Sequence, residues 1–204
     1  MSSDNPTGAD NQQETERPRL KLDPHWVVGF VDGEGCFSVS VHRNPYVQRT
    51  RGWQIHPVFH VYQHVSYRAV LEELVEFFSC GRIRSKGGSS NVETYAVEAL
   101  RDLESSIIPF FENYPLVVKD RDFQAFADIV RAMRRKEHLH ADGFERLIRL
   151  AYGMNANGKQ RSRSLNEVLT GSSETVRQAA LSGAEDTVRP AWRHAEPSRN
   201  ALAP

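Results

Sequence analysis

Trp26-Val27-Val28-Gly29-Phe30-Val31-Asp32-Gly33-Glu34-Gly35 decides the reading of this chain. Asp23-Pro24 opens the segment as a helix start, with Asp as N-cap and Pro at the first helical position. The helix runs from His25 to about Asp32 and ends at Gly33 and Gly35. Gly29 and Gly33 lie four apart and share one face. Glycine inside a helix costs about 1 kcal/mol, so Gly29 calls for the close approach of another backbone. Two such helices packed through Gly29 and Gly33, with Val28 and Asp32 beside them, would bring together two copies of Asp32 and Glu34. Clustered carboxylates repel unless protonated or bridged by a cation, and hard oxygen ligands of this kind suit Mg²⁺.

Outward from the helix, the pattern changes period. Cys36–Arg43 alternates, with Phe37, Val39 and Val41 opposite Ser38, Ser40 and His42, which is a half-buried strand. Trp53–Gln63 alternates again, and its Pro57 predicts an edge position or a bulge. Ser66 caps a helix whose Val70, Leu71, Leu74, Val75 and Phe78 recur at helical spacing, and Gly81 stops it. Arg82–Lys86 and Val92–Ala99 form a hairpin, and helices follow over Leu100–Phe111, Lys119–Glu137 and Ala141–Met154. Two antiparallel hairpins with all helices on one face make an α+β fold. The uncovered face would carry Ser38, Ser40, His42, Gln54, His56, His60, Arg82, Arg84, Lys86 and Thr94.

The charges sharpen that picture. The chain has 204 residues, with 26 Lys plus Arg balanced by 26 Asp plus Glu. That zero hides an uneven distribution. Residues 1–16 hold four acids and no base, and residues 165–204 hold five acids and four Arg, which leaves 22 basic and 17 acidic residues between. Ser38–Leu71 contains no Asp or Glu but carries Arg43, Arg49, Arg51 and Arg68 with four histidines. A strand-rich, acid-free segment suits contact with a polyanion. Two cysteines are too few for a disulfide framework and read as free thiols in a reducing compartment. The start lacks the features of a secretory signal. No apolar run approaches the roughly 18 residues of a membrane span, so no membrane partner is expected.

The motif Val27-Val28-Gly29-Phe30-Val31-Asp32-Gly33-Glu34-Gly35 resembles that of the LAGLIDADG homing endonucleases. Phe59-His60-Val61-Tyr62-Gln63 and Tyr114-Pro115-Leu116-Val117-Val118-Lys119 are similar to the family too, as is the element order. One motif points to the homodimeric branch. The resemblance implies an αββαββα saddle of four antiparallel strands spanning residues 19–163. A disordered leader over 1–18 and a flexible tail over 164–204, with room for a short helix near Glu174–Leu181, would flank it.

The resemblance also implies roles. Glu34 stands at the family's metal-binding acid, with the Gly33 carbonyl beside it, and Asp32 at the structural first acid. Gln63 and Lys119 stand where the family organises water and stabilises charge at the scissile phosphate. Val28 replaces the usual Ala. Tyr67 sits where a basic residue is common, with Arg68 next to it. Lys159 and Arg161 read as phosphate contacts, and Asn44 with the loop arginines extends the nucleic-acid surface. His64 reads as a phosphate contact rather than a general base. The implied activity is a Mg²⁺-dependent, intron-encoded, site-specific double-strand endonuclease. It would act intracellularly as a homodimer on a long pseudo-palindromic DNA. The alternatives are an RNA maturase that assists group I intron splicing, with intron RNA as partner, and a DNA-binding regulator without catalysis.

Overall fold

The computed structural model describes residues 21–46, 52–87, 90–155 and 163–170. Helix α1 spans Pro24–Glu34, and the Asp23 carboxylate accepts the N–H groups of His25 and Trp26 as its N-cap. Strand β1 (Gly35–Arg43) follows with no residue between. A side chain at Gly35 would meet Val31 Cγ1 at 2.6 Å and the Val31 carbonyl oxygen at 2.8 Å, so only glycine permits this direct junction. Strand β2 (Trp53–His64) returns antiparallel, with Gly35 facing Val61 and Val41 facing Ile55.

A 3₁₀ turn, Val65–Tyr67, leads into α2 (Arg68–Phe78). The expected Ser66 cap is replaced by the His64 ring, whose Nδ1 accepts the Ser66 N–H at 3.2 Å. Strands β3 (Arg82–Ser85) and β4 (Val92–Val97) complete one sheet in the order β1-β2-β4-β3, all neighbours antiparallel. Pro57 sits in β2 opposite Val39, but β4 reaches only as far as Phe59. Beyond that point β2 has a free side, so the missing Pro57 N–H spoils no ladder bond to β4.

The helical stretch after β4 is divided into α3 (Leu100–Asp102), a π-wound segment (Leu103–Ile107) and α4 (Ile108–Asn113). Pro109 supplies the reason for the irregular winding, because its ring removes one donor and pushes against the preceding turn. Helices α5 (Asp120–Arg134) and α6 (Ala141–Gly153) pack together and against β1.

All helices lie on the sheet face that bears Phe37, Val39, Ile55, Phe59, Val61, Tyr95 and Val97, every one of them buried. The Phe37 ring lies 5.1–5.4 Å from the rings of Phe59, Phe111, Phe123 and Phe126, which ties β1 and β2 to α4 and α5. Aromatic contacts at such spacing add to burial. The folded unit also runs past the expected boundary at residue 163. Residues 165–170 are helical, the Ser164 hydroxyl accepts the Glu167 N–H, and Val168 is fully buried. The tail expected from residue 164 therefore begins with a segment of the core. The leader and the short helix near Glu174–Leu181 lie outside the described residues.

Candidate active site and nucleic-acid face

The α1–β1 junction places Glu34 at one end of the sheet, exposed to solvent. Gly35 faces Val61, so Gln63, two residues further along β2, lies at the same end. Lys119 arrives there from the residue before α5. Its ammonium donates to the carbonyl oxygens of Val31 (3.2 Å), Asp32 and Gly33 (3.3 Å). In return, the Asp32 carboxylate accepts the N–H groups of Val117 (2.8 Å), Val118 and Lys119 (3.1 Å). Helix C-terminal carbonyls attract cations and helix N-terminal N–H groups attract anions, so Asp32 and Lys119 each serve the other's helix end.

Gln63 is half-buried, with its Oε1 accepting the neighbouring His64 N–H, and it faces Glu93 across to β4. Arg68 does not stand free in place of the missing basic residue at 67. Its guanidinium is held between Glu72 (2.7 Å) and Glu93 (2.5 Å).

Among the described residues, no group of three or more His, Cys, Asp or Glu is placed to hold a metal ion. One chain offers the Glu34 carboxylate and the Gly33 carbonyl, only part of the six or so oxygen ligands that Mg²⁺ takes. The donor set fits a hard cation, and the Lys119 ammonium on the same carbonyl shows that this end of α1 attracts positive charge.

The face of the sheet away from the helices presents Cys36, Ser38, Ser40 and His42 from β1. It adds Gln54, His56, His60 and Tyr62 from β2, Thr94 from β4, and Arg82 and Arg84 from β3. Ser38 and Ser40 donate weakly, at 3.4 Å, to the Val58 and His56 carbonyls. Asn44 Nδ2 donates to Gln54 Oε1 at 2.8 Å, Arg43 stacks over Trp53 at 4.4 Å, and Lys86 lies 5.4 Å from the Tyr62 ring centre. Burial pushes His60 down to about 4 and lowers His56, so both rings are neutral hydrogen-bonding groups near pH 7. Sequence reasoning named most of this face but missed Glu98. Continuing the alternation Thr94, Ala96 by one more step would have found it. Arg82 and Arg84 both donate to the Glu98 carboxylate. Burial alone would raise that carboxyl, but the two arginines hold it below its usual range. Arg49, Arg51, Lys159 and Arg161 lie outside the described residues.

On α1 the structure corrects one expectation. Val28 is 9% exposed and belongs to this chain's own core, so it does not lie on an outward face. The outward stripe is Trp26 (44% exposed), Gly29, Phe30 and Gly33, with Trp26 stacked on Phe30 at 4.8 Å. A Cβ added at Gly29 or Gly33 would meet nothing within 4 Å among the described residues. Packing within this chain therefore does not require either glycine. Val117 and Val118, 85% and 77% exposed, stand beside the end of α1, held there by Asp32.

The chain belongs to the LAGLIDADG endonuclease family, which it matches over residues 27–130. It is similar to the homing endonuclease I-ApeII of Aeropyrum pernix, with 31% identity over 149 residues, 71% of this chain and 86% of the relative. Its fold is similar to that of an archaeal intron-encoded homing endonuclease, I-Vdi141I, solved in complex with DNA. There the identity is 34% and the TM-score 0.68, over 74% of this chain and 94% of that one. The meganuclease I-SmaMI, bound to uncleaveable DNA, matches at 32% identity and TM-score 0.62, but this chain spans only 46% of it. Among the described residues, no helix is long and apolar enough to cross a membrane.

Proposed function

We propose that this chain is a homing endonuclease that cuts both strands of a long, pseudo-palindromic DNA as a homodimer, with a divalent cation, Mg²⁺, at each cut. The observation that carries this reading is the convergence of Glu34, the Gly33 carbonyl and the Lys119 ammonium at the end of the open sheet face. The relatives' names favour cutting over the RNA-splicing role, and a DNA substrate puts its work inside the cell.

Glu34 and the Gly33 carbonyl would hold the cation, which when bound lowers the pKa of water and polarises the phosphate oxygens. Lys119 supplies a fixed positive charge beside the scissile phosphate, where negative charge grows in the transition state. Gln63 orients water with its side-chain amide. Ser38, Ser40, His42, Gln54, His56, His60, Arg82, Arg84 and Thr94 face the major groove, whose base edges such groups can read. Arg43, Asn44, Arg49, Arg51, Lys86, Lys159 and Arg161 contact phosphates, as Arg68 would if it left its two carboxylates. The second copy packs on Trp26, Gly29, Phe30 and Gly33, with Val117 and Val118 at the rim. This removes exposed apolar surface and explains two glycines that nothing among the described residues requires.

Glu34→Gln tests the reading. On a duplex selected by the wild-type protein from a randomised library, cleavage with Mg²⁺ falls roughly a thousandfold, while gel-shift affinity in Ca²⁺ stays near wild type. Undiminished cutting by this variant overturns the assignment.

A further inference from the structure

The open sheet face carries one carboxylate among its described positions, and it is an awkward place for one. A surface that binds a polyanion gains nothing from a negative charge unless that charge has work to do. Glu98 follows directly on β4, with its side chain 24% exposed. Arg82 and Arg84 lie two residues apart on β3 and project on the same face, opposite Ala96 and Thr94 of β4. One oxygen of Glu98, Oε2, accepts a hydrogen bond from Nη2 of each arginine, at 2.8 Å from Arg82 and closer from Arg84. β3 is the edge strand of the sheet, farthest from β1.

We propose that Glu98 is a positioning residue for sequence recognition, holding Arg82 and Arg84 as a paired guanine-reading element at the edge of the sheet. This rests on the reading of the open face as the DNA surface. An arginine on an edge strand has many rotamers, and a free one settles on a phosphate as readily as on a base. A guanidinium carries five N–H donors in a planar fork. Tying one of them to a shared carboxylate removes rotamer freedom before binding, so less is lost on contact. The remaining donors still match the O6 and N7 acceptors of guanine, the commonest specific contact of arginine in the major groove. With two arginines on one carboxylate, the cluster keeps a net positive charge toward DNA. Successive side chains on one face of a strand stand about 6–7 Å apart. That is roughly two base-pair steps, so the two guanines would be close neighbours in each half-site.

The opposite role is masking, in which Glu98 neutralises the arginines until phosphates displace it. The full-length wild type, Glu98→Gln and Arg84→Lys are each used to select from a duplex library with randomised base pairs. Each is then titrated against the wild-type site at several salt concentrations. The expected wild-type site has two G·C pairs close together in each half-site. Glu98→Gln loses the preference at those two pairs and keeps it elsewhere, with affinity for the site lower by roughly tenfold and an unchanged salt slope. Arg84→Lys, which keeps the charge but not the fork, loses one of the two preferences. Melting curves matching wild type establish that both variants are folded. Tighter binding by Glu98→Gln with a steeper salt slope overturns positioning in favour of masking, and unchanged preferences overturn it outright. Selection of no site by the wild type would instead sink the DNA-binding reading, and this proposal with it.

Discussion

The carboxylate of Asp32 and the ammonium of Lys119 close a two-way clasp between the end of α1 and the start of α5. Asp32 takes three successive backbone N–H groups, and Lys119 returns three hydrogen bonds to successive carbonyls. The clasp fixes Lys119 beside Gly33 and Glu34 although 84 residues of sequence lie between Glu34 and Lys119.

Asp32→Ala removes one half of this clasp. It leaves three N–H groups dependent on water and withdraws a charge from a helix start, which together are worth about 2 kcal/mol. Urea denaturation should show that loss. The consequence for cutting should be larger than for stability, because Lys119 loses the backbone anchor that directs its side chain. A variant that melts lower but cuts at the wild-type rate would show that Lys119 finds its place without Asp32.

Gly29→Leu separates folding from assembly. A Cβ there meets nothing within 4 Å among the described residues, the position faces outward, and glycine is a poor helix former, so the isolated chain keeps its fold and gains up to about 1 kcal/mol. A second helix packed on the same stripe would be pushed away. Sedimentation velocity at micromolar concentration should show wild type near twice the 23.2 kDa chain mass and the variant near one chain mass. A dimer surviving in the variant would place the interface elsewhere.

His60 makes stability depend on pH. Burial holds its folded value at about 4, against 6.5 for the free side chain. Between these values the unfolded chain binds a proton that the folded chain does not. Stability is therefore full above about pH 6.5 and declines as pH falls towards 4. His60→Gln should flatten that part of a plot of melting temperature against pH. An equally steep fall in the variant would assign the effect to other groups, with His56 the first candidate, because burial lowers it too.

Much of this was written in the sequence, and the gaps have physical causes. The helix-to-strand switch at Gly35, the alternation of β1 and β2 and the edge character of Pro57 all follow from local pattern. The orientation of α1 does not. Trp26, Val27, Val28, Phe30 and Val31 are all apolar, so no polar contrast shows which residues turn inward, and Val28 turns inward rather than outward. Arg68 has a visible i,i+4 partner in Glu72, yet its pairing with Glu93 depends on the strand register. Leu165, Val168 and Leu169 do recur at helical spacing, but over little more than one turn set among polar residues, too short a run to announce a segment of the core. Glu98 falls within the strand expected over Val92–Ala99, but only the register of β3 against β4 brings it to Arg82 and Arg84.

The absence of any residue between α1 and β1 has a metric consequence. Under the proposed function, Glu34 and the strand that would read DNA are joined without a linker, so the interval between the broken bond and the first base read would be set by covalent geometry. β1 has nine residues, and at about 3.3 Å each it extends about 30 Å, close to nine base pairs of duplex. Such a tool measures its substrate as a ruler does. A target lengthened by a single base pair between the cut and the reading arm would carry every later base out of register by about 3.4 Å of rise and a tenth of a helical turn. Drift in the target should therefore be tolerated as substitution far more readily than as insertion or deletion.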